Sequence, residues 1–309
     1  MPTYSISLGC VSAPYLYKDT EELTINVPMG YSKSDHGFDV TGGAVGTLLI
    51  AEGPADLREI QYKISIRSDS KELLEQIQFA YPTSEGVEKS LLKIGTPAAP
   101  QSCVRFDITM YVPPTLKELH VAPHVPVQVK FDETSKLNMD NFFATLYASS
   151  ENNMILPHQN VKAKSMSLEV FSGWIVGAVA IVDNTTITTQ QGDGVVNLHV
   201  HPAASPDLNK SASLQTTTGS SRTDIFFEKL LPHRPISSTH VSSQNGDVYL
   251  TYREAEFSGL VSLKSNSYSA TGIRSFAKKT PQEWTHWVGD EEGADRLTVE
   301  SRGWTGLYF

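Results

Sequence analysis

Three aspartates sit where a repeated phrase of the sequence could bring them together. Asp193 and Asp247 each follow a glycine, and Asp224 lies between them in similar register. If the strands carrying them stack at about 4.8 Å per layer, residues two layers apart lie roughly 9.6 Å apart. That is the outer limit of the ~5–9.5 Å at which two carboxylates cleave a glycosidic bond. Gly-Asp pairs are also ordinary turn chemistry, with the aspartate bonding nearby backbone, and the sequence favours that plainer reading. His199 and His201 flank Val200, so on a strand both face one side and could share a metal. No third ligand is fixed by spacing, so they are read as outward polar residues and no metal is assigned. Trp284, Trp287, Trp304, Tyr308 and Phe309 could form a platform for sugars, but aromatics gathered near a terminus more simply pack as a cap. The acidic turn from Asp290 to Asp295 lacks the ligand register of a calcium loop. No Gly-rich phosphate loop or nucleophile elbow is present, and no cofactor is implied.

The elements that would position these residues follow a repeat. An aliphatic residue, four mostly small or polar residues and a glycine recur at Leu168–Gly173, Ile187–Gly192, Leu214–Gly219 and Val241–Gly246, with glycines 19, 27 and 27 residues apart. Each copy soon turns apolar again, at Ile175, Val195, Ile225 and Val248. From Asn141 to Ser220 only eight residues are charged, and Ser, Thr, Asn and Gln replace the rest. Neutral polar faces suit strands stacked rung on rung, where like charges would sit above one another. A glycine at a fixed place suits a corner needing positive φ. Units too short to bury their own apolar face must stack, which predicts a β-solenoid.

Ahead of the repeat, period-2 alternation predicts strands at Leu23–Val27, Val45–Ile50, Ile60–Ile66, Val87–Ile94, Val104–Val112 and Leu119–Phe131. Ser70–Gln78 has helical spacing, with Ser70 as a candidate N-cap. Leu23-Thr24-Ile25-Asn26-Val27-Pro28 is echoed in pattern by Ile108-Thr109-Met110-Tyr111-Val112-Pro113, which suggests that the front of the chain holds divergent related units. Leu297–Val299 is read as a last strand and the aromatic end as a cap for the open stack. The expectation is an all-β single elongated domain over 1–309: divergent strands at 20–135, Gly-centred rungs at 136–272, a cap at 273–309, and one short helix. A β-sandwich with coincidental repeats is the alternative, which would show as hairpin-connected facing sheets.

The totals narrow the function. With 309 residues, a net charge of −9 and a pI near 5.5, the chain is a poor match for nucleic acid or for an anionic membrane surface. The N-terminus has no signal-peptide pattern. The longest apolar stretch, Trp174 to Val182, is far short of the ~20 residues of a membrane helix. The chain is therefore expected to be soluble. Cys10 and Cys103 allow one bridge, but two buried free thiols are the expected state. Asn184 and Asn209 head glycosylation sequons, which permit an extracellular site.

A strand closing in Val-Pro, a following Leu-x-Val strand and reiterated Gly-centred rungs resemble the bacterial "putative adhesin" β-solenoid domain. The ending Leu297-Thr298-Val299-Glu300-Ser301-Arg302-Gly303-Trp304-Thr305-Gly306-Leu307-Tyr308-Phe309 resembles uncharacterised fungal proteins carrying a version of it. The resemblance spans roughly residues 20 to 309. It implies a single-domain β-solenoid with no established enzymatic activity and an extracellular or cell-surface setting. The expected role is a non-enzymatic structural or adhesion-like module that meets a glycan or another protein surface. A carbohydrate-binding or carbohydrate-cleaving β-helix protein is the alternative.

Overall fold

The computed structural model describes residues 1–32, 34–84, 86–98, 103–190, 194–229, 233–277 and 284–309. Within them the chain is all-β, with 24 strands and a single α-helix, Lys71–Glu75. It divides into two compact units, Met1–Val161 and Lys162–Phe309.

In the first unit, the strand Ile60–Ser68 alternates buried and half-buried residues along its whole length, because period 2 sends successive side chains to opposite faces. It is flanked by the two strands of the Val-Pro echo. Leu23 and Ile108 both pair with Ile64, and Ile25 and Met110 both pair with Tyr62. Both flanking strands run antiparallel to Ile60–Ser68, so the echo is one pattern laid on either side of one strand. Beyond it the pairing is parallel. Val104–Val112, Val45–Glu52, Val127–Phe131 and Met154–Leu156 form one ladder. Leu91–Gly95, Asp35–Thr41, Glu118–Val121 and Leu137–Leu146 form the other.

Three local expectations for this unit need correction in whole or in part. The strand expected from Val87 begins only at Leu91. Ser70 occupies the N-cap position, but its hydroxyl makes no cap bond to the helix backbone and donates instead to Glu72 Oε2 at 2.5 Å. Cys10 and Cys103 are not free thiols but a disulfide across 93 residues. The reason is that residues 4–10 fold back over the Val104–Val112 strand. Arg105 Nη1 donates to the carbonyls of Ser5 (2.9 Å) and Gly9 (2.7 Å), and Asp107 holds the same guanidinium from the other side. Sequence spacing carries no trace of that tertiary contact. Deeper in the unit, buried His36 joins Ser90 Oγ (2.6 Å) to Tyr62 Oη (2.5 Å).

In the second unit, each pass of the chain adds one strand to each of two parallel ladders. Val161–Val170, Asn184–Thr189, Ala212–Thr218 and Ile236–Ser242 succeed one another in the first. Trp174–Ile181, Val195–Pro202, Thr223–Phe227 and Val248–Thr251 do so in the second. Pairing to the next strand but one, parallel throughout these eight strands, is not the hairpin pattern of a sandwich. The repeated phrase keeps register only at first: Leu168 pairs with Ile187, but Ile187 pairs with Thr216 rather than Leu214.

The strand Asp295–Tyr308 passes through both ladders. It lies between the rung formed by Ile236–Ser242 with Val248–Thr251 and the rung formed by Gly259–Thr271. It is far longer than the expected 297–299 and is an inner rung, not an outer lid. The aromatic cluster at its end is present: Phe309 packs on Tyr252 and Phe257 (ring centroids 5.2 Å for each), and Tyr252 stacks on Phe227 at 4.4 Å. Buried His240 bridges Thr216 Oγ1 (2.9 Å) and Tyr252 Oη (3.3 Å) in the same interior.

At the corner between the ladders, Gly246 is required by close approach. Gly246 donates its N–H to the Gly219 carbonyl at 3.1 Å, and a Cβ on Gly246 would lie 2.4 Å from the carbonyl oxygens of Gly219 and Ser221. Its φ is not among the positive ones, whereas that of Gly173 is 124°. Gly246→Ala is expected to lower the unfolding free energy by about 1–3 kcal/mol, as overpacking does. Gly95→Ala, whose Cβ would meet nothing closer than 3.7 Å, is expected to change it little. Urea titrations of the two variants decide the point, and equal midpoints would refute the close-approach reading.

Candidate binding face of the second unit

Alternation in the second ladder sends Val196, Leu198, Val200, Ile225, Phe227, Val248, Leu250 and Leu307 into the core. The intervening residues therefore face outward. Register then fixes two outward rows. One runs Asn197, Asp224, Tyr249, Gly306, and the other His199, Phe226, Thr251, Tyr308.

On this face Asp224 is held by both of its oxygens: Arg222 Nε donates to Oδ2 at 2.6 Å and Nη2 to Oδ1 at 2.7 Å. The Asp224 hydrogen bond is the main reason the Arg222 pKa lies above its ordinary value. The guanidinium also lies 3.9 Å from the Tyr249 ring centroid, a cation–π contact. Tyr249 meets Trp304 at 4.8 Å, and Arg253 sits 5.7 Å from the Tyr308 ring. Gly306 makes room for these rings, since a Cβ there would come within 2.6 Å of the Trp304 indole and 3.1 Å of Tyr308. Phe226 carries His199 stacked at 5.1 Å, and His199 Nδ1 lies 2.6 Å from Glu228 Oε1. That hydrogen bond holds the Glu228 carboxyl below its ordinary pKa.

The residues singled out in the sequence fall as follows. Asp224 lies on the face and is neutralised by Arg222. Asp247 is at its margin, with Oδ1 accepting the Trp304 N–H at 3.2 Å, a backbone contact of the turn type. Asp193 lies outside the described residues. His199 is bound to Glu228 and Phe226, and no group of three or more His, Cys, Asp or Glu side chains is arranged to hold a metal among the described residues. The five aromatics separate: Trp304 and Tyr308 face outward, Phe309 faces the core, Trp287 packs on Phe276 at 4.7 Å and Trp284 faces Arg296. Asn184 and Asn209 are both exposed. The sequence reading missed Arg222, Tyr249, Phe226 and Gly306. The Arg222-Thr223-Asp224 spacing was its one available signal, since residues two apart on a strand share a face.

No protein-family model matches the sequence, and no curated relative matches it. Solved bacterial structures align along nearly the whole chain. One is a "putative adhesin" from Parabacteroides distasonis ATCC 8503, 10% identical, covering 94% of this chain and 98% of that one with a TM-score of 0.48. Another is a "putative adhesin" from Bacteroides fragilis NCTC 9343, 9% identical, covering 93% and 97% with a TM-score of 0.45. A "putative cell adhesion protein" from Clostridium sporogenes ATCC 15579 is 10% identical, covers 93% and 97%, and has a TM-score of 0.26. At these values the likeness carries no statement about a ligand. No helix among the described residues is long and apolar enough to cross a membrane.

Proposed function

We propose that the protein is a non-enzymatic, adhesion-like module that holds a ligand on the outward face of the second unit. The observation that carries this is the grouping of Tyr249, Trp304 and Tyr308 around Gly306, with Arg222 and Arg253 laid against their rings. Aromatics with one apolar face and a polar rim are what contact surfaces select. The carboxylates nearby are committed elsewhere: Asp224 to Arg222 and Asp247 to the Trp304 backbone. A hydrolase would need its acid and base free to exchange protons.

The rung-on-rung pairing supports reading each unit as a β-solenoid, and the Gly303–Phe309 ending supports placing the chain with the fungal version of that domain, in an extracellular or surface setting. The carbohydrate reading keeps one observation in its favour, because Trp304 and Tyr308 form a platform on which the C–H face of a sugar can lie. To test the role, beads coated with the protein are applied to immobilised glycans and to purified protein coats. Retention that falls in Tyr249→Ala/Trp304→Ala supports the face. Retention unchanged by that pair removes the proposed surface, and release of glycan fragments, abolished by Asp224→Asn, would make the protein an enzyme instead.

A further inference from the structure

The chain contains the phrase Arg-x-Asp-Ile twice, at Arg105–Ile108 in the first unit and Arg222–Ile225 in the second. In both places the arginine makes the same fork. Nε donates to Oδ2 of the aspartate, at 2.9 Å for Arg105 and 2.6 Å for Arg222. Nη2 donates to Oδ1, at 2.8 Å and 2.7 Å respectively. A guanidinium has five donors, so each fork leaves Nη1 and one Nη2 hydrogen to spend elsewhere.

In the first unit those donors are used. Nη1 bonds the carbonyls of Ser5 and Gly9, and Nη2 bonds Ser5 Oγ at 2.6 Å. The two carbonyls converge because Ile6–Leu8 forms a single 3-10 turn bracketed by positive φ at Ser5 (68°) and Gly9 (74°). Gln128 steadies the turn through Ser5 N–H and Ser7 Oγ. Beneath this turn the Arg105 side chain is 1% exposed, while that of Arg222 is 57% exposed. Among the described residues, nothing takes the remaining Arg222 donors.

We propose that Arg222 anchors a peptide-binding site, which takes from a protein partner what Arg105 takes from this chain: a serine-bearing turn with two convergent backbone carbonyls. The proposal rests on the second-unit face being a contact surface and names its ligand. The chemistry selects neutral acceptors. Asp224 already balances the guanidinium charge, and Asp247 adds a further negative charge within its electrostatic reach, so an anionic ligand gains little. The free groups at the fork are donors, which suits carbonyls better than sugar hydroxyls that must also place a proton. Exposed Asn197, paired with Asp224 on the neighbouring strand, offers an amide to the turn as Gln128 does in the first unit.

The chain's own turn supplies the probe. A fluorescent peptide of residues 1–12 carrying Cys10→Ser is titrated into the intact, oxidised protein, whose first fork is already filled and tied down by the Cys10–Cys103 bridge. The expected result is saturable anisotropy, weakened at least about tenfold, roughly 1.4 kcal/mol, by Arg222→Gln and by Ser5→Ala in the peptide, with circular dichroism of the variant unchanged. Binding that ignores both substitutions overturns the proposal, as does no binding up to about 1 mM, a level that bounds any useful single anchor. If the peptide fails while glycan-coated surfaces still retain beads through Tyr249 and Trp304, the contact face stands and the peptide ligand falls. If both fail, the contact face falls with it.

Discussion

Lowering the pH from 7 to 5 is expected to destabilise each unit by about 2 kcal/mol through a single histidine. Burial pushes His36 and His240 down to about 3 from an ordinary 6.5. Each imidazole is satisfied when neutral, because one ring nitrogen donates and the other accepts, and each is flanked only by hydroxyls: Ser90 and Tyr62 in the first unit, Thr216 and Tyr252 in the second. A protonated ring has no carboxylate among these partners to balance it. Between about 3 and 6.5 the unfolded chain therefore binds a proton that the folded chain refuses. Stability is full above 6.5, falls as the pH drops through this window by up to about 1.4 kcal/mol per unit per histidine, and has no further histidine loss below about 3. Urea midpoints measured from pH 7 to pH 4 test this. His36→Gln and His240→Gln are each expected to flatten the profile of their own unit; profiles as steep as that of the unsubstituted protein would show that other groups govern the acid limb.

Arg105→Gln is expected to remove about 3–5 kcal/mol, because it leaves several acceptors beneath the N-terminal turn without their donor, at roughly 1–3 kcal/mol each. The substitution strands the Ser5 and Gly9 carbonyls and the Ser5 hydroxyl, while Asp107, 36% exposed, keeps the Thr47 hydroxyl and reaches water. The same change at Arg222 is expected to remove less, about 1–3 kcal/mol: its guanidinium is 57% exposed, and only the carboxylate of Asp224, 8% exposed, loses its partner. Thermal melts of the two variants provide the comparison. Limited proteolysis adds a local readout, since residues 1–10 are expected to be cut faster in Arg105→Gln, having lost the arginine beneath the turn and kept the disulfide and the Gln128 bonds. Equal losses of stability would mean that burial does not distinguish the two forks.

The strands were legible in the sequence because period 2 is written locally, as Ile60, Tyr62, Ile64 and Ile66 show. The Val-Pro echo was legible too, and its meaning, two strands flanking a third, emerged only from the pairing. The parts that were not legible depend on distant residues. The disulfide follows from a turn at residues 5–9 folding onto Arg105, 100 residues away. Gly246 sits where the backbone of one rung approaches the next, which a composition pattern describes only as a corner. At the candidate face, Asp224 was visible as an acid, but its partner is Arg222 and its surroundings include Tyr249 on the next rung. Trp304 and Phe309 looked alike as terminal aromatics. Alternation along Asp295–Tyr308 separates them, sending Trp304 outward while Phe309, just past the strand's end, turns onto Tyr252.

The position of Asp295–Tyr308 within the ladders also bears on biosynthesis. A stack whose rungs follow chain order can assemble as the ribosome delivers it, each strand docking on the one before. Here Gly259–Thr271 emerges before the strand on which it must lie. Until residues 295–308 appear, its backbone groups on that side have no partner, and the rung at Ile236–Thr251 ends in an open edge of the kind that recruits stray strands. Quality control during synthesis therefore has a defined interval to cover, between translation of Gly259 and of Tyr308. Premature termination inside that interval leaves two unmatched edges, so truncated chains would be recognised by aggregation or capture by chaperones rather than by loss of a single terminal lid.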